Sequence, residues 1–374
     1  TESPVGVLQR FANELPRHGF EGVITIFQAT VPLVKAVDPS GTEVDLCVGN
    51  MLAHQNSRLI AAYCTLDQRV SEVGRLVKQW AKAWELASSS DGHLNSYAYT
   101  LLTIYYLMHT RPPVVPNLQD LAVQGCDSRI IRDRRWGREI PWDCKFWDEI
   151  DLIPKSSNRE SAEELLRGFF AFYCEHFDWS CGAVSIRTAL SEKEPVSKFD
   201  LHATVQKEQW YVEDPFDLRH NLASQCTASG RRRILSKMSE TLSALKGATN
   251  GDLAAVFAGQ CSRSTSRFLL KCRVHTEKVS AEDFKAALGA VQDVGPFIVR
   301  FPMLQGRPKE VIDAFAIFQS ESDRRRVHRL NETYIGEWQL RLLPCSSWAL
   351  EDALQVCAYE EAEVLPRAAA PEDR

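Results

Sequence analysis

Lys78 and Lys82 stand four residues apart in Val77-Lys78-Gln79-Trp80-Ala81-Lys82, so on a helix both ammonium groups leave one face. Like charges at that spacing repel by roughly 0.2–0.5 kcal/mol in a bare helix. A polyphosphate between them turns that cost into two charge-assisted bonds. A lysine-rich solvent face is the common alternative. A second group is the run Glu213-Asp214-Pro215-Phe216-Asp217-Leu218-Arg219-His220-Asn221, where donors and acceptors crowd behind an apolar stretch. A carboxylate accepting from N3–H and an imidazole donating to a carbonyl would read uracil, whereas adenine offers the reverse pattern. An ordinary polar turn explains Asp214-Pro215 but not the density of the set.

Asp45 is the third candidate. In Glu43-Val44-Asp45-Leu46-Cys47-Val48 the side chains of a strand alternate, placing Val44, Leu46 and Val48 toward a core and Asp45 on the opposite face. There it could bind Mg²⁺, act as a general base, or be a plain solvent-face aspartate. Ser96 would open a helix, cap it and donate to a phosphate oxygen, with Tyr97 beside it free to stack on a base. A simple cap and a core aromatic are the equal reading.

Elements of three kinds must position these groups. Residues 4–15 read as an amphipathic helix, followed by β-type runs Val23–Phe27 and Val31–Val37 and a hairpin into Val44–Val48. From Arg58 to about Leu121 the period is helical, with Val73, Leu76, Val77, Trp80 and Trp84 as one apolar stripe. Residues 126–160 read as loop, Ala162–His176 as helix and Gln209–Val212 as strand. Beyond about residue 245, Phe268–Val274, Ala281–Val291, Phe297–Phe301, Ala314–Phe318, Glu321–Leu330 and Trp338–Leu343 spell βαββαβ. Residues 347–362 read as one more helix.

Composition sets limits. With 374 residues, 44% apolar and 25% charged, the chain is long enough for two or three globular domains. A net charge of -5 gives no global attraction to nucleic acid, so any such surface is local. The candidates are the arginines of 129–138 and the triple runs 231–233 and 324–326. The 11 cysteines are scattered and never spaced Cys-x-x-Cys, which argues against a disulfide framework or zinc knuckle and for a reducing compartment. The most apolar stretch, Tyr97–Met108, is too short to span a bilayer, so no membrane partner is expected.

The chain resembles the noncanonical poly(A) polymerase and terminal uridylyltransferase family of the polymerase-β-like nucleotidyltransferase superfamily. The likeness runs over roughly residues 17–225 in Ala29–Lys35, Glu43–Asn50, Asn56-Ser57-Arg58-Leu59, Leu66–Val70, Val77–Lys82, Leu94–Tyr97 and Glu213–Asn221. The added βαββαβ module makes it similar to the kinetoplastid mitochondrial RNA-editing enzymes. The type acting on spliceosomal small nuclear RNA is also similar, down to Trp142-Asp143-Cys144. The resemblance implies an α+β fold: a nucleotidyltransferase sheet remnant (1–57), a helical poly(A)-polymerase-type domain (58–245), an RNA-recognition-like module (262–346) and a C-terminal helix and tail (347–374). It implies RNA 3′-terminal uridylyl transfer from UTP with Mg²⁺ or Mn²⁺, in the mitochondrial matrix, beside other proteins of an RNA-processing complex. By the same resemblance Asp45 is the third metal-binding carboxylate, and Asn56 and Ser57 sit at ribose and phosphates. Lys78 and Lys82 hold the triphosphate, Ser96 contacts phosphate and Tyr97 stacks on uracil. Asp214 and Asp217 read the base edge, and His220 favours UTP over ATP.

Two departures qualify these expectations. The family's Gly-Ser loop and Asp-x-Asp pair occur nowhere in the chain, and one aspartate cannot bridge two metal ions. The sequence therefore reads as a C-terminal portion of an enzyme, with a catalytically inactive scaffold and a noncanonical poly(A) polymerase as the alternatives. In the βαββαβ module, Asp313 and Leu269 stand where stacking aromatics are usual, which leaves Phe315 as the candidate platform.

Overall fold

The computed structural model describes residues 3–29, 31–125, 127–135, 138–188, 196–201, 205–247, 268–275, 279–292, 294–303, 311–328, 330–331, 333–336, 338–340, 342–345 and 358–364. The chain divides into two compact units, Thr1–Cys261 and Ser262–Arg374.

The first unit opens with α1 (Pro4–Glu14), whose first turn is capped by the Ser3 hydroxyl accepting from the Gly6 N–H at 3.1 Å. This helix lies on an antiparallel sheet of β1 (Glu21–Ile26), β2 (Leu33–Val37) and β3 (Glu43–Cys47). Leu8, Ala12 and Leu15 bury against Val34 and Ala36, with Val44, Leu46 and Val48 packed alongside. The alternation expected of β3 holds, since Asp45 and Cys47 are exposed.

Helices follow: α2 (Met51–Leu66), α3 (Gln68–Ala83), α4 (Ser96–His109) and α5 (Leu118–Gly125). Helicity begins at Met51 rather than Arg58, because the Asn50 side chain accepts from Ala53 N–H and caps α2 there. Asn56 and Ser57 therefore sit within a helix. On α3 the stripe Val70, Val73, Val77, Trp80 and Ala81 is buried. Helix α4 is buried on most sides, as its run from Tyr99 to Met108 dictates. The stretch read as loop contains a hairpin of β4 (Ile130–Arg135) and β5 (Arg138–Asp143), an alternation masked in sequence by its charges. Helix α6 (Ala162–Ala171) has a complete Ser161/Glu164 capping box and runs into a π-type turn, Phe172–His176. After the short α7 (Lys198–Leu201), the run Gln209–Val212 forms an isolated bridge, Val212 with Val184, and the next residue, Glu213, bridges Asn221. Helix α8 (Ala228–Gly247) closes the unit, its Thr241 hydroxyl accepting from Trp80 Nε1–H at 2.8 Å. Each fully buried large apolar side chain here contributes about 1.5–3 kcal/mol.

The second unit contains β6 (Phe268–His275), α9 (Ala281–Gly289), β7 (Phe297–Met303), β8 (Val311–Phe318), α10 (Glu321–His328), the small pair β9 (Tyr334–Ile335) and β10 (Trp338–Gln339), β11 (Leu342–Cys345) and β12 (Ala358–Val364). The sheet order β11-β6-β8-β7-β12 is antiparallel throughout. Its first four strands have the ferredoxin-like order expected of βαββαβ. Two expectations change. Trp338–Leu343 is split between β10 and β11, and the predicted helix over 347–362 is, from Ala358, the edge strand β12; residues 346–357 lie outside the described residues. Pairing with β7 from Ala358↔Met303 to Val364↔Phe297 overrides the helix preference of Glu and Ala.

Phe315 is not an open platform. It is 1% exposed, packed with Leu269 and Ile317 and edge-on to Tyr359 at 5.9 Å. Among the described residues no helix is long and apolar enough to cross a membrane.

Candidate functional site

The turn 213–221 is held by its own side chains. Asp214 Oδ1 accepts from the N–H groups of Phe216 and Asp217, both at 3.0 Å, and Asp214 N–H donates to the His220 carbonyl at 3.2 Å. His220 N–H donates to the Asp217 carbonyl at 2.8 Å. Asn221 Oδ1 accepts from the N–H groups of Val212 and Ala223, while its Nδ2 donates to the Trp210 carbonyl. From α5, Gln119 Nε2 donates to the Pro215 carbonyl at 3.0 Å. The turn is a cross-braced platform, not a loose loop.

Helices α2 and α4 bring their residues to it. Asn56 Nδ2 donates to Asp214 Oδ2 at 3.2 Å, and His220 Nδ1 stands 4.0 Å from the same oxygen. The His220 side chain is 51% exposed, so its ring is presented outward from a fixed backbone. Burial pushes the Tyr97 phenol above its ordinary pKa, and the Asp214 carboxylate adds to the shift. Burial also raises the pKa of Asp214 itself, opposed by the backbone bonds from Asp217 and Phe216 and by His220. Asn56 Oδ1 and Tyr97 OH are buried and find no hydrogen-bond partner among the described residues. A buried polar atom left in that state costs about 1–3 kcal/mol. Two of them around one buried carboxylate suit a surface that bonds a polar ligand.

The structure thus gathers Asn56, Tyr97, Asp214, Asp217 and His220. Asp214 Oδ1 serves the turn and Oδ2 takes the Asn56 amide. Asp217, half-buried, lies nearer the surface. The other candidates have no hydrogen bond or ion pair to this group among the described residues. Lys78 and Lys82 are exposed along one face of α3. Ser96 is exposed at the first position of α4, but it is not the cap; Asn95 is, accepting from Ala98 N–H at 2.8 Å. Ser57 is exposed, and its hydroxyl donates back to the Ala53 carbonyl.

Asp45 lies opposite Lys35 on β2, with Lys35 Nζ 3.3 Å from Oδ2. Among the described residues no three His, Cys, Asp or Glu side chains are grouped to hold a metal ion. Asp45 can supply one ligand, but it does not form a two-ion centre.

Three bracing residues escaped sequence reasoning. Gln119, Ser185 and Arg187 reach the turn from 96, 28 and 26 residues away, and no local pattern announces them. Asn221 had a signal in the dense polar set, but its amide braces the turn.

Comparisons with known proteins agree on one neighbourhood. Residues 2–65 match the family described as "Poly(A) RNA polymerase, mitochondrial-like, central palm domain", and residues 163–220 match "Cid1 family poly A polymerase". Terminal uridylyltransferase 7 of Homo sapiens is 35% identical over 232 residues, covering 59% of this chain and 14% of that protein. Terminal uridylyltransferase cid1 of Schizosaccharomyces pombe is 32% identical over 242 residues, covering 60% of this chain and 57% of that protein. The chain therefore spans less than two thirds of each. A crystal structure of the Cid1 poly(U) polymerase with magnesium and 3′-dATP, from work on its UTP selectivity, superposes with a TM-score of 0.56 at 30% identity, covering 67% of this chain and 75% of that one.

Proposed function

This chain belongs to the terminal uridylyltransferase family of the polymerase-β-like nucleotidyltransferase superfamily, and on that premise we propose that it binds UTP for transfer of UMP to RNA 3′ ends. The observation that carries the reading is the braced 213–221 turn. It presents His220 and Asp217 beside a buried carboxylate, with Asn56 Oδ1 and Tyr97 OH around it unpaired among the described residues. In this assignment Asp217 accepts from uracil N3–H, His220 donates to a base carbonyl and Asp214 holds the turn that carries both. Tyr97 stacks on the ring, Asn56 and Ser57 lie at the ribose and inner phosphates, and Lys78, Lys82 and Ser96 take the phosphate oxygens. Asp45 supplies one carboxylate toward the Mg²⁺ that accompanies UTP.

Transfer itself needs more carboxylates than Asp45. The second reading is a nucleotidyltransferase-like scaffold that binds nucleotide without turning it over. A mitochondrial location goes with either reading, supported by the description of the matched palm-domain family.

Titration of the chain with UTP and with ATP in Mg²⁺ tests the assignment. Preferential binding of UTP is expected, and failure to bind either nucleotide removes it. Incubation of the full-length protein with UTP and an RNA oligonucleotide then decides between enzyme and scaffold by whether the RNA lengthens.

A further inference from the structure

The turn that carries His220 is anchored from behind by an ion pair whose carboxylate is buried and whose guanidinium is half-buried. Glu213 is 2% exposed and its carboxylate takes three bonds. Ser185 Oγ donates to Oε2 at 2.6 Å, Arg187 Nε donates to Oε2 at 3.2 Å, and Arg187 Nη2 donates to Oε1 at 2.9 Å. The backbone locks the same pair of segments, with Glu213 N–H donating to the Val184 carbonyl at 2.9 Å. A guanidinium fork on two carboxylate oxygens fixes rotation as well as position. The next residue along is Asp214, whose N–H and carboxylate close the turn, so any rotation of Glu213 is handed directly to the base-facing residues.

We propose that Arg187, acting through Glu213, is a positioning residue that sets discrimination between uracil and adenine by holding the 214–220 turn in register, a role that rests on the nucleotide reading above. Without its fork, the Glu213 carboxylate is buried with a hydroxyl and no counter-charge, a state relieved by movement toward water. That movement shifts the turn that presents His220 and Asp217. The phosphate-binding lysines stand on α3 and take no part in this bracing, so the loss falls on base selectivity, not on triphosphate affinity.

The test uses the full chain and equilibrium titration with UTP and ATP in Mg²⁺. Arg187→Met is expected to weaken UTP binding about tenfold and ATP binding less than about twofold, shrinking the selectivity ratio. Arg187→Lys keeps the charge but cannot form the fork, and a ratio reduced about threefold is expected. Should Arg187→Met fail to fold, as judged by far-ultraviolet circular dichroism, Arg187→Lys decides alone. Folded variants that keep the wild-type ratio, or lose UTP and ATP affinity equally, overturn the inference and leave the nucleotide site standing. A wild-type chain that binds neither nucleotide overturns both.

Discussion

His220 and the two lysines act on different parts of one ligand, and single substitutions separate them. The His220 ring projects from a backbone fixed by Asp217 and Asp214, so the side chain can be changed without moving the turn. Asparagine at this position offers both a donor and an acceptor, and so tolerates the reversed edge of adenine. His220→Asn is expected to lower the UTP/ATP affinity ratio about tenfold, the value of one hydrogen bond of ordinary strength. Lys78→Ala and Lys82→Ala each remove a charge-assisted bond to phosphate, which both nucleotides share. Each should weaken UTP and ATP binding equally, by about tenfold. Competition binding reads both quantities. A histidine variant with an unchanged ratio, or a lysine variant with an altered one, would reverse the assignment.

At the scale of elements, what the sequence reveals is what is local. The α3 stripe and the β3 alternation are written at the spacing of the element itself, so Val73, Val77 and Trp80 are buried and Asp45 is exposed as read. The polar crowding of the 213–221 turn was legible because its residues are consecutive. The Arg187 fork and the Gln119 brace were not, because only the tertiary fold brings them there. β12 was misread because glutamates and alanines favour a helix until a strand edge is offered to them. Docking of α8 is a further tertiary effect, one that a glycine makes possible. Gly230 lies against the Gly92 carbonyl, which already accepts from Thr227 N–H at 2.9 Å, and a Cβ at Gly230 would collide with that backbone oxygen. Alanine gains about 1 kcal/mol of helix propensity over glycine, but forcing α8 away from Gly92 costs about 1–3 kcal/mol. Gly230→Ala should therefore be neutral to destabilising in urea denaturation. A stabilised variant would show that α8 yields freely at this end.

For the molecule as a whole, each nucleotide-site candidate belongs to the Thr1–Cys261 unit, while the sheet of the second unit has its own core. Three arginines of the two triple basic runs are tied into the fold. Arg231 donates to the Cys226 carbonyl and Arg233 to the Trp84 carbonyl, while Arg324 is buried. The face of the second sheet that a stacking module would leave open is also closed, with Leu269, Phe315 and Ile317 covered. Stacking of a base on an aromatic ring is worth about 1–3 kcal/mol, so an exposed Phe315 would show as a fivefold or larger loss of RNA affinity on removal, by that same figure. Phe315→Leu keeps most of the volume and deletes the ring. Its expected cost is about 1 kcal/mol of stability in the second unit, with affinity for single-stranded oligouridylate and for UTP unchanged. Filter binding alongside thermal denaturation checks this, and loss of RNA affinity with stability preserved would return the ring to the RNA-binding surface.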